Sequence, residues 1–160
     1  MKILAFTKHN PEKISTKLGW PEEDFFLYSE KNSAFAVADG ITRDPLNFLD
    51  FPESYENQKI IYPDPSPARK AAKTFCKTFI ENCKSKKEIK KSIIIANEKI
   101  AQINKNLKVD YLQNDLAGCV ASFGIIAEDI LHYGFITDCG ISIFDKNGKL
   151  KFKTKNESPN

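Results

Sequence analysis

The stretch Phe35-Ala36-Val37-Ala38-Asp39-Gly40 decides the predicted fold of this chain. It continues an apolar run that starts at Ala34 and stops abruptly at an acidic residue and a glycine. An uninterrupted apolar run of this kind is typical of a strand that is buried on both faces. The stretch therefore predicts a buried strand with a carboxylate at its end, where an isolated charge needs a partner.

A second strand is predicted just upstream. The aromatic run from Phe25 to Tyr28 favours a strand, and Lys31-Asn32 marks a turn between it and the first stretch. Three adjacent carboxylates, Glu22-Glu23-Asp24, directly precede this strand. A further short strand is predicted from Lys2 to Thr7, followed by a polar loop over residues 10–22.

The segment from Pro45 to Pro65 is predicted to be an irregular insertion loop. It contains prolines and several aromatic residues, and a loop of this length inside a compact domain usually has a function. Because the segment closely follows Asp39 and Gly40, we expect it to wall the active site and to influence the choice of substrate.

Residues 66–107 predict two helices. Ser66 is an N-cap followed by proline at the first helical position, and the second helix begins at Ser85, with Glu88 completing a capping box. The link between the helices is short, so antiparallel neighbours are expected. Apolar residues repeat at helical spacing in both, namely Ala68, Ala72, Phe75, Phe79 and Cys83, then Ile89, Ile93, Ala96, Ile100, Ile103 and Leu107.

The last third of the chain changes character and predicts strands. Glu128-Asp129 turns the first pair of strands, and Asn147-Gly148, the strongest short hairpin signal, turns the last pair. The four predicted strands are Cys119 to Ala127, Ile130 to Thr137, Ile141 to Phe144 and Leu150 to Lys153. Strands, two helices and then antiparallel strands indicate an α+β fold with helices packed on sheet faces.

The composition is that of an ordinary globular domain. Of 160 residues, 41% are hydrophobic and 28% are charged. There is no apolar stretch long enough for a transmembrane helix and no signal-peptide core, so we expect a cytoplasmic protein without a membrane partner. A net charge of +3 is too small to indicate nucleic acid.

A cluster of lysines around residues 84–91 has two readings. It could bind nucleic acid or an acidic partner, or it could be the solvated start of a helix, and the second reading is favoured. The lysines concerned are Lys84, Lys86, Lys87, Lys90 and Lys91.

The cysteines predict free thiols. Cys76, Cys83, Cys119 and Cys139 show no CxxC spacing, and disulfides are rare in the cytoplasm. Cys76 and Cys83 lie seven residues apart on one predicted helix face. We therefore expect these two to be core residues.

Carboxylates accompany three predicted strands. Glu22 to Asp24 precede one strand, Asp39 ends the next, and Asp138 ends the strand that starts at Ile130. Each of them singly is also explained by a turn or a solvated loop. If the early strands pair with each other and the later strands form a facing sheet, the carboxylates converge at one end of a sandwich. Hard oxygen ligands there suit a divalent cation, which the carbonyl of Gly40 could approach closely.

These segments resemble the motifs of a known enzyme family. Glu23-Asp24-Phe25 followed by residues 35–40 resembles the paired first motifs of PPM-type (type 2C) metal-dependent serine/threonine protein phosphatases. Leu116-Ala117-Gly118-Cys119-Val120-Ala121 resembles the family's Gly-Thr segment, and Tyr133-Gly134-Phe135-Ile136-Thr137-Asp138-Cys139-Gly140 resembles its Gly-Asp-Ser segment. The motifs follow the family's order from about Glu23 to Thr154, with two helices in the middle.

The resemblance implies a four-layer α/β/β/α sandwich, with residues 1–160 forming a single domain that is incomplete at its C-terminus. It implies hydrolysis of phosphoserine and phosphothreonine in a phosphoprotein substrate by water held between two Mg²⁺ or Mn²⁺ ions. Asp39 would bridge the ions and Gly40 would offer its carbonyl. Glu23 would serve the second ion with Asp24 nearby, and Asp138 would be a further metal ligand.

The alternative is a catalytically inactive pseudophosphatase that acts as a binding or regulatory module. Gly19 occupies the position of the family's phosphate-binding arginine, with Lys17 and Arg43 as candidate substitutes out of register. Ile41-Thr42-Arg43-Asp44 follows Asp39-Gly40, where the family continues with further glycine. The oligomeric state stays open.

Overall fold

A computed structural model describes residues 22–41, 65–107, 116–155 and 157. The predicted strand from Lys2 to Thr7, the predicted loop up to residue 21 and nearly all of the insertion loop of residues 45–65 lie outside these described residues. Within them the chain is α+β, as predicted. The elements are β1 (Phe25–Ser29), β2 (Ala34–Gly40), α1 (Pro67–Asn82), α2 (Ile89–Leu107), β3 (Cys119–Ala127), β4 (Ile130–Phe135), β5 (Ser142–Phe144) and β6 (Leu150–Lys153).

The first four strands form one antiparallel sheet in the order β1-β2-β3-β4. Phe25 pairs with Ala38, Gly40 pairs with Cys119, and Ser122 pairs with Phe135. The early strands therefore pair as predicted, but the expectation that the later strands form a facing sheet is wrong for β3 and β4. β3 pairs with β2 along the whole length of β2, so β3 and β4 extend the first sheet. β5 and β6 form a separate two-stranded sheet.

One face of the four-stranded sheet is covered by the helices. Ala34, Ala36 and Ala38 alternate along β2 toward α1, and all three are fully buried. Small side chains there let the helix lie close to the strand. The aromatic residues Phe79 and Phe123, with ring centroids 5.0 Å apart, fill the space between α1 and β3.

The opposite face of this sheet, here called the open face, is apolar but exposed. Val37, whose side chain alternates with the buried alanines, is 48% exposed, so the prediction that β2 is buried on both faces is wrong. The register places Tyr28 of β1, Ile126 of β3 and Tyr133 of β4 on this same face, and all three are exposed as well. An apolar run in the sequence thus shows that a strand has apolar side chains on both faces. It does not show that both faces are buried.

The helices start as predicted, with one adjustment. Ser66 caps α1 by accepting the Arg69 N–H at 3.0 Å. Ser85 opens a 3₁₀ turn, Lys86–Glu88, and α2 follows from Ile89. The two helices pack against each other across this short connection.

The apolar stripe of α2 ends earlier than predicted. Leu107, its last predicted member, is exposed, whereas the polar Asn104 is buried. The Asn104 side chain accepts the Ala117 N–H at 2.6 Å and donates to the Ala117 carbonyl at 2.9 Å. A buried amide that is doubly hydrogen-bonded replaces an apolar contact there, and it fixes the entry of the chain into β3.

The hairpin of β5 and β6 is turned at Asn147-Gly148, as predicted, with Gly148 at a φ of +78°. Asp145 accepts the N–H groups of Asn147 and Lys149 across the turn. Phe152 of β6 lies against Tyr133 on the open face, with ring centroids 5.7 Å apart. No helix in residues 65–107, where both helices of the described chain lie, is long and apolar enough to cross a membrane.

Candidate metal centre

Three predicted carboxylate positions lie at one end of the four-stranded sheet. Asp24 directly precedes β1, Asp39 is next to last in β2, and Asp138 follows β4. Because neighbouring strands are antiparallel, the start of β1 and the ends of β2 and β4 share one end. These three positions therefore share one end of a single sheet, and their convergence on a cation stays a prediction.

The charges of these three carboxylates act on a common thiol. Burial first, and then the negative charges of Asp39, Asp138 and Asp24, raise the pKa of Cys139 to about 11. A negative group disfavours a second negative charge nearby, so the shift is a sign of electronegative surroundings at this end of the sheet. Burial, with Cys139 and Asp39, likewise raises the pKa of Cys119 to about 12.

The thiols near this end are consequently protonated at neutral pH. Cys76, Cys83, Cys119 and Cys139 are all free, as predicted, and the first two are buried in the core. A nucleophilic or metal-binding cysteine needs a thiolate. The cysteines are therefore core and boundary residues in the described structure.

Asp39 is exposed on the open face, two residues beyond Val37. Its partner across the sheet is Val120. Asp138 is also exposed, and its Oδ1 accepts the Thr137 hydroxyl at 2.9 Å. Thr137 has a φ of 57°, which is uncommon for a β-branched residue, so the chain bends sharply where Asp138 leaves the strand.

Glu23 has a different environment from the other predicted ligands. It is buried, and its Oε1 accepts the Ser66 hydroxyl at 2.6 Å. Ser66 is the N-cap of α1, so the carboxylate lies at the positive end of that helix. One oxygen of Glu23 thereby ties the segment before β1 to the start of α1.

Gly40 is required by packing. A Cβ at this position would lie 2.7 Å from the backbone carbon and oxygen of Ala68 and 2.9 Å from the Glu23 carbonyl oxygen. The missing side chain lets the first turn of α1 and the segment before β1 approach the end of β2. This close approach is sufficient to explain why residue 40 is a glycine, whether or not a cation binds nearby. The role of the Gly40 carbonyl as a metal ligand stays a prediction.

Arg69 was not singled out in the sequence, yet it lies beside the acidic segment. Its guanidinium forms an ion pair with Glu22 at 3.2 Å, donates to the Asp24 carbonyl and lies 5.4 Å from the centroid of the Phe25 ring. An arginine three residues after a helix cap gives no local signal of this role. The candidate phosphate-binding residues Lys17 and Arg43 lie outside the described residues.

The donor chemistry suits a hard divalent cation, but the donor set is incomplete. Residues 22–41, 65–107, 116–155 and 157 contain no group of three or more His, Cys, Asp or Glu side chains close enough to hold a metal ion. Asp39 and Asp138 are accessible carboxylates of the right type, whereas Glu23 is engaged with Ser66. No protein-family model, curated protein or solved structure matches this chain.

Proposed function

We propose that this chain carries the N-terminal part of a PPM-type metal-dependent phosphatase that hydrolyses phosphoserine and phosphothreonine in proteins of the cytoplasm. The observation that carries the proposal is that Asp24, Asp39 and Asp138, from three separate segments, lie at the same end of the four-stranded sheet. Accessible carboxylates such as Asp39 and Asp138 are the ligand type that a hard divalent cation prefers, and further ligands would have to complete the set.

The open face supports the four-layer α/β/β/α sandwich that this proposal includes. Helices cover one face of the four-stranded sheet, which gives the first two layers. The other face carries exposed apolar residues, and the β5–β6 hairpin already contacts it through Phe152 and Tyr133. A second sheet built on that hairpin would bury the open face as sheets do in a sandwich.

The residues have separate roles in this proposal. Asp39 and Asp138 present oxygen ligands at the exposed end of the sheet, and Asp24 adds negative charge beside them. Glu23 positions the segment before β1 through Ser66, and Gly40 keeps that segment close to β2. Two Mg²⁺ or Mn²⁺ ions, when bound, would supply an activated water for attack on phosphorus.

The test is metal binding by the complete natural protein with and without Asp39→Asn. We expect Mn²⁺ affinity measured by calorimetry, and Mn²⁺-dependent hydrolysis of a phosphoserine peptide, to fall at least about a hundredfold, because a carboxylate that would hold the ions is lost. Asp129→Asn is the matched control, since Asp129 lies in the β3–β4 turn at the other end of the sheet. Unchanged metal binding in Asp39→Asn would refute the proposal.

The binding-module alternative is favoured by one observation, the burial of Glu23 against Ser66. A carboxylate already committed to a helix cap is a poor ligand for a second ion. This alternative predicts that the complete protein binds a phosphoserine peptide in the absence of Mn²⁺ and does not hydrolyse it when Mn²⁺ is added. Metal-dependent turnover would exclude it.

A further inference from the structure

A cavity of about 520 Å³ lies at the opposite end of the four-stranded sheet from the carboxylates. It is open to solvent and is bordered by the β1–β2 turn, the connection between α1 and α2, and the end of β3. A volume of this size falls in the range of small-molecule sites, roughly 300–1,000 Å³. No part of the candidate metal centre lines it.

Lysines from two distant segments surround the cavity. Lys31 comes from the β1–β2 turn, and Lys84, Lys86 and Lys87 come from the connection between the helices. Glu128 is the acidic residue among the lining side chains, so positive charge predominates. Lys90 and Lys91, the other members of the sequence cluster, are not among the lining residues.

The lysines differ in the ion pairs and hydrogen bonds that they already form. Lys86 forms an exposed ion pair with Glu128 at 3.3 Å, and the Lys84 ammonium donates to the Ile80 carbonyl at 3.1 Å. Within the described part of the chain, neither Lys31 nor Lys87 forms an ion pair. These two ammonium groups are thus available to an anion.

The floor and the polar wall of the cavity are fixed by the sheet. The half-exposed Ile126 supplies apolar surface while the Ile125 side chain is buried in the core, and the Ile126 N–H donates to the Ser33 carbonyl at 2.9 Å. Ser33 has a φ of 49°, so the β1–β2 turn curves tightly there and presents Asn32 and Ser33 to the cavity. An amide and a hydroxyl beside ammonium groups and apolar surface suit a ligand with a charged head and a small apolar body.

We propose that this cavity binds a phosphate monoester dianion. Lysine acts as a point charge toward phosphate, and a doubly charged group can be contacted by Lys31 and Lys87 from two sides. A single carboxylate would use only part of this charge. The phosphoester can belong to a small molecule or to a phosphorylated side chain of another protein, since both present the same group.

The compactness of the site argues against nucleic acid as its ligand. A nucleic-acid surface needs basic residues that extend along a strip of backbone phosphates. Here the lysines surround one cavity, and Lys90 and Lys91 fall outside it. The proposal is independent of the candidate metal centre, because the two sites share no residue.

The experiment is a titration of the complete natural protein with O-phosphoserine, serine and a phosphoserine peptide, followed by amide NMR shifts and calorimetry. We expect O-phosphoserine to shift the amides of Ser33, Ser85 and Ile126, and serine to leave them unchanged. Peptide binding at least about tenfold tighter than O-phosphoserine would identify a protein source, and equal affinities would identify a small molecule. Absence of binding at millimolar O-phosphoserine would overturn the proposal.

Two double variants that each remove two positive charges distinguish binding at the cavity from general electrostatic attraction. Lys31→Gln with Lys87→Gln should weaken O-phosphoserine binding about tenfold or more, because two charge-assisted contacts are lost. Lys90→Gln with Lys91→Gln should change it less than about twofold, because these residues stand outside the cavity. An equal loss in both variants would refute the proposal, as would tighter binding of single-stranded DNA that depends on all four lysines. The titrations are made with EDTA and without divalent cations, so that binding at the candidate metal centre does not contribute and the two proposals are tested separately.

Discussion

The two faces of the four-stranded sheet are made by alternate residues of the same strands, yet they differ in almost every physical respect. On the helix-packed face Ala36 is fully buried and Phe123 contacts Phe79. On the open face Val37 and Tyr133 remain exposed although they are apolar. The comparison teaches that most of the packing in the described structure lies on one side of the sheet, while apolar residues on the other side stay exposed.

The largest expected effect comes from removing an aromatic ring on the packed face. Phe79→Ala should lower the free energy of unfolding by about 3–5 kcal/mol, because a fully buried ring leaves a cavity between α1 and β3. The measurement is urea unfolding followed by circular dichroism.

Phe152→Ala is the matched control on the other side of the sheet. Phe152 is 38% exposed and contacts Tyr133 from the β5–β6 hairpin, so its loss should cost about 1 kcal/mol or less. Equal losses in the two variants would show that the open face contributes to stability as much as the packed face, which would contradict the comparison.

A smaller effect is expected where α1 approaches the end of β2. Gly40→Ala should destabilise the fold by about 1–3 kcal/mol, because the new Cβ meets the backbone of Ala68 and of Glu23, which cannot move independently. Thermal and urea unfolding measure the change.

Gly118→Ala provides the comparison for this position. Its new Cβ would lie 3.1 Å from the end of the Ile41 side chain, which can rotate away, so the cost should stay below that of Gly40→Ala. If Gly40→Ala were neutral, the close approach of helix and strand would not constrain residue 40.

The smallest effect is a pH dependence at the end of the sheet. The folded state raises the pKa of Cys139 from its ordinary value of 9.0 to about 11, so the folded chain keeps a proton that the unfolded chain loses. Stability should therefore be unaffected by this group below about pH 9 and should decrease between about pH 9 and pH 11. Urea midpoints at several pH values should show a shallower alkaline decline in Cys139→Ser than in the parent chain. If the urea midpoints of the two proteins decline equally with pH, folding does not raise the pKa of Cys139.

Much of the fold was predictable because local signals were strong. The capping serine and proline at Ser66-Pro67, the Asn147-Gly148 turn and the apolar run before Asp39 each specify local backbone geometry, and the structure has a helix, a hairpin and a strand there. The sheet to which β3 and β4 belong was not predictable, since strand pairing depends on contacts between residues distant in sequence. The burial of Asn104 was missed for the same reason, because its partner Ala117 lies in another element.

The candidate metal centre shows the same division. Asp39 and Asp138 were singled out because each lies at or just after the end of a recognisable strand, and the antiparallel order brings them to one end of the sheet. The engagement of Glu23 with Ser66 and the position of Arg69 beside Glu22 were not visible in the sequence. Whether these carboxylates bind metal stays a prediction.

The sequence by itself determined the residue types that each described strand and helix presents and, to within a few residues, where each of these elements starts and stops. Those properties depend on side-chain chemistry and on backbone preferences within a few residues. The tertiary structure alone decided which face of the sheet is covered, that Gly40 admits the first turn of α1, and that Lys31 joins the lysines after α1 around one cavity. These outcomes depend on contacts between segments tens of residues apart, and no local pattern encodes them.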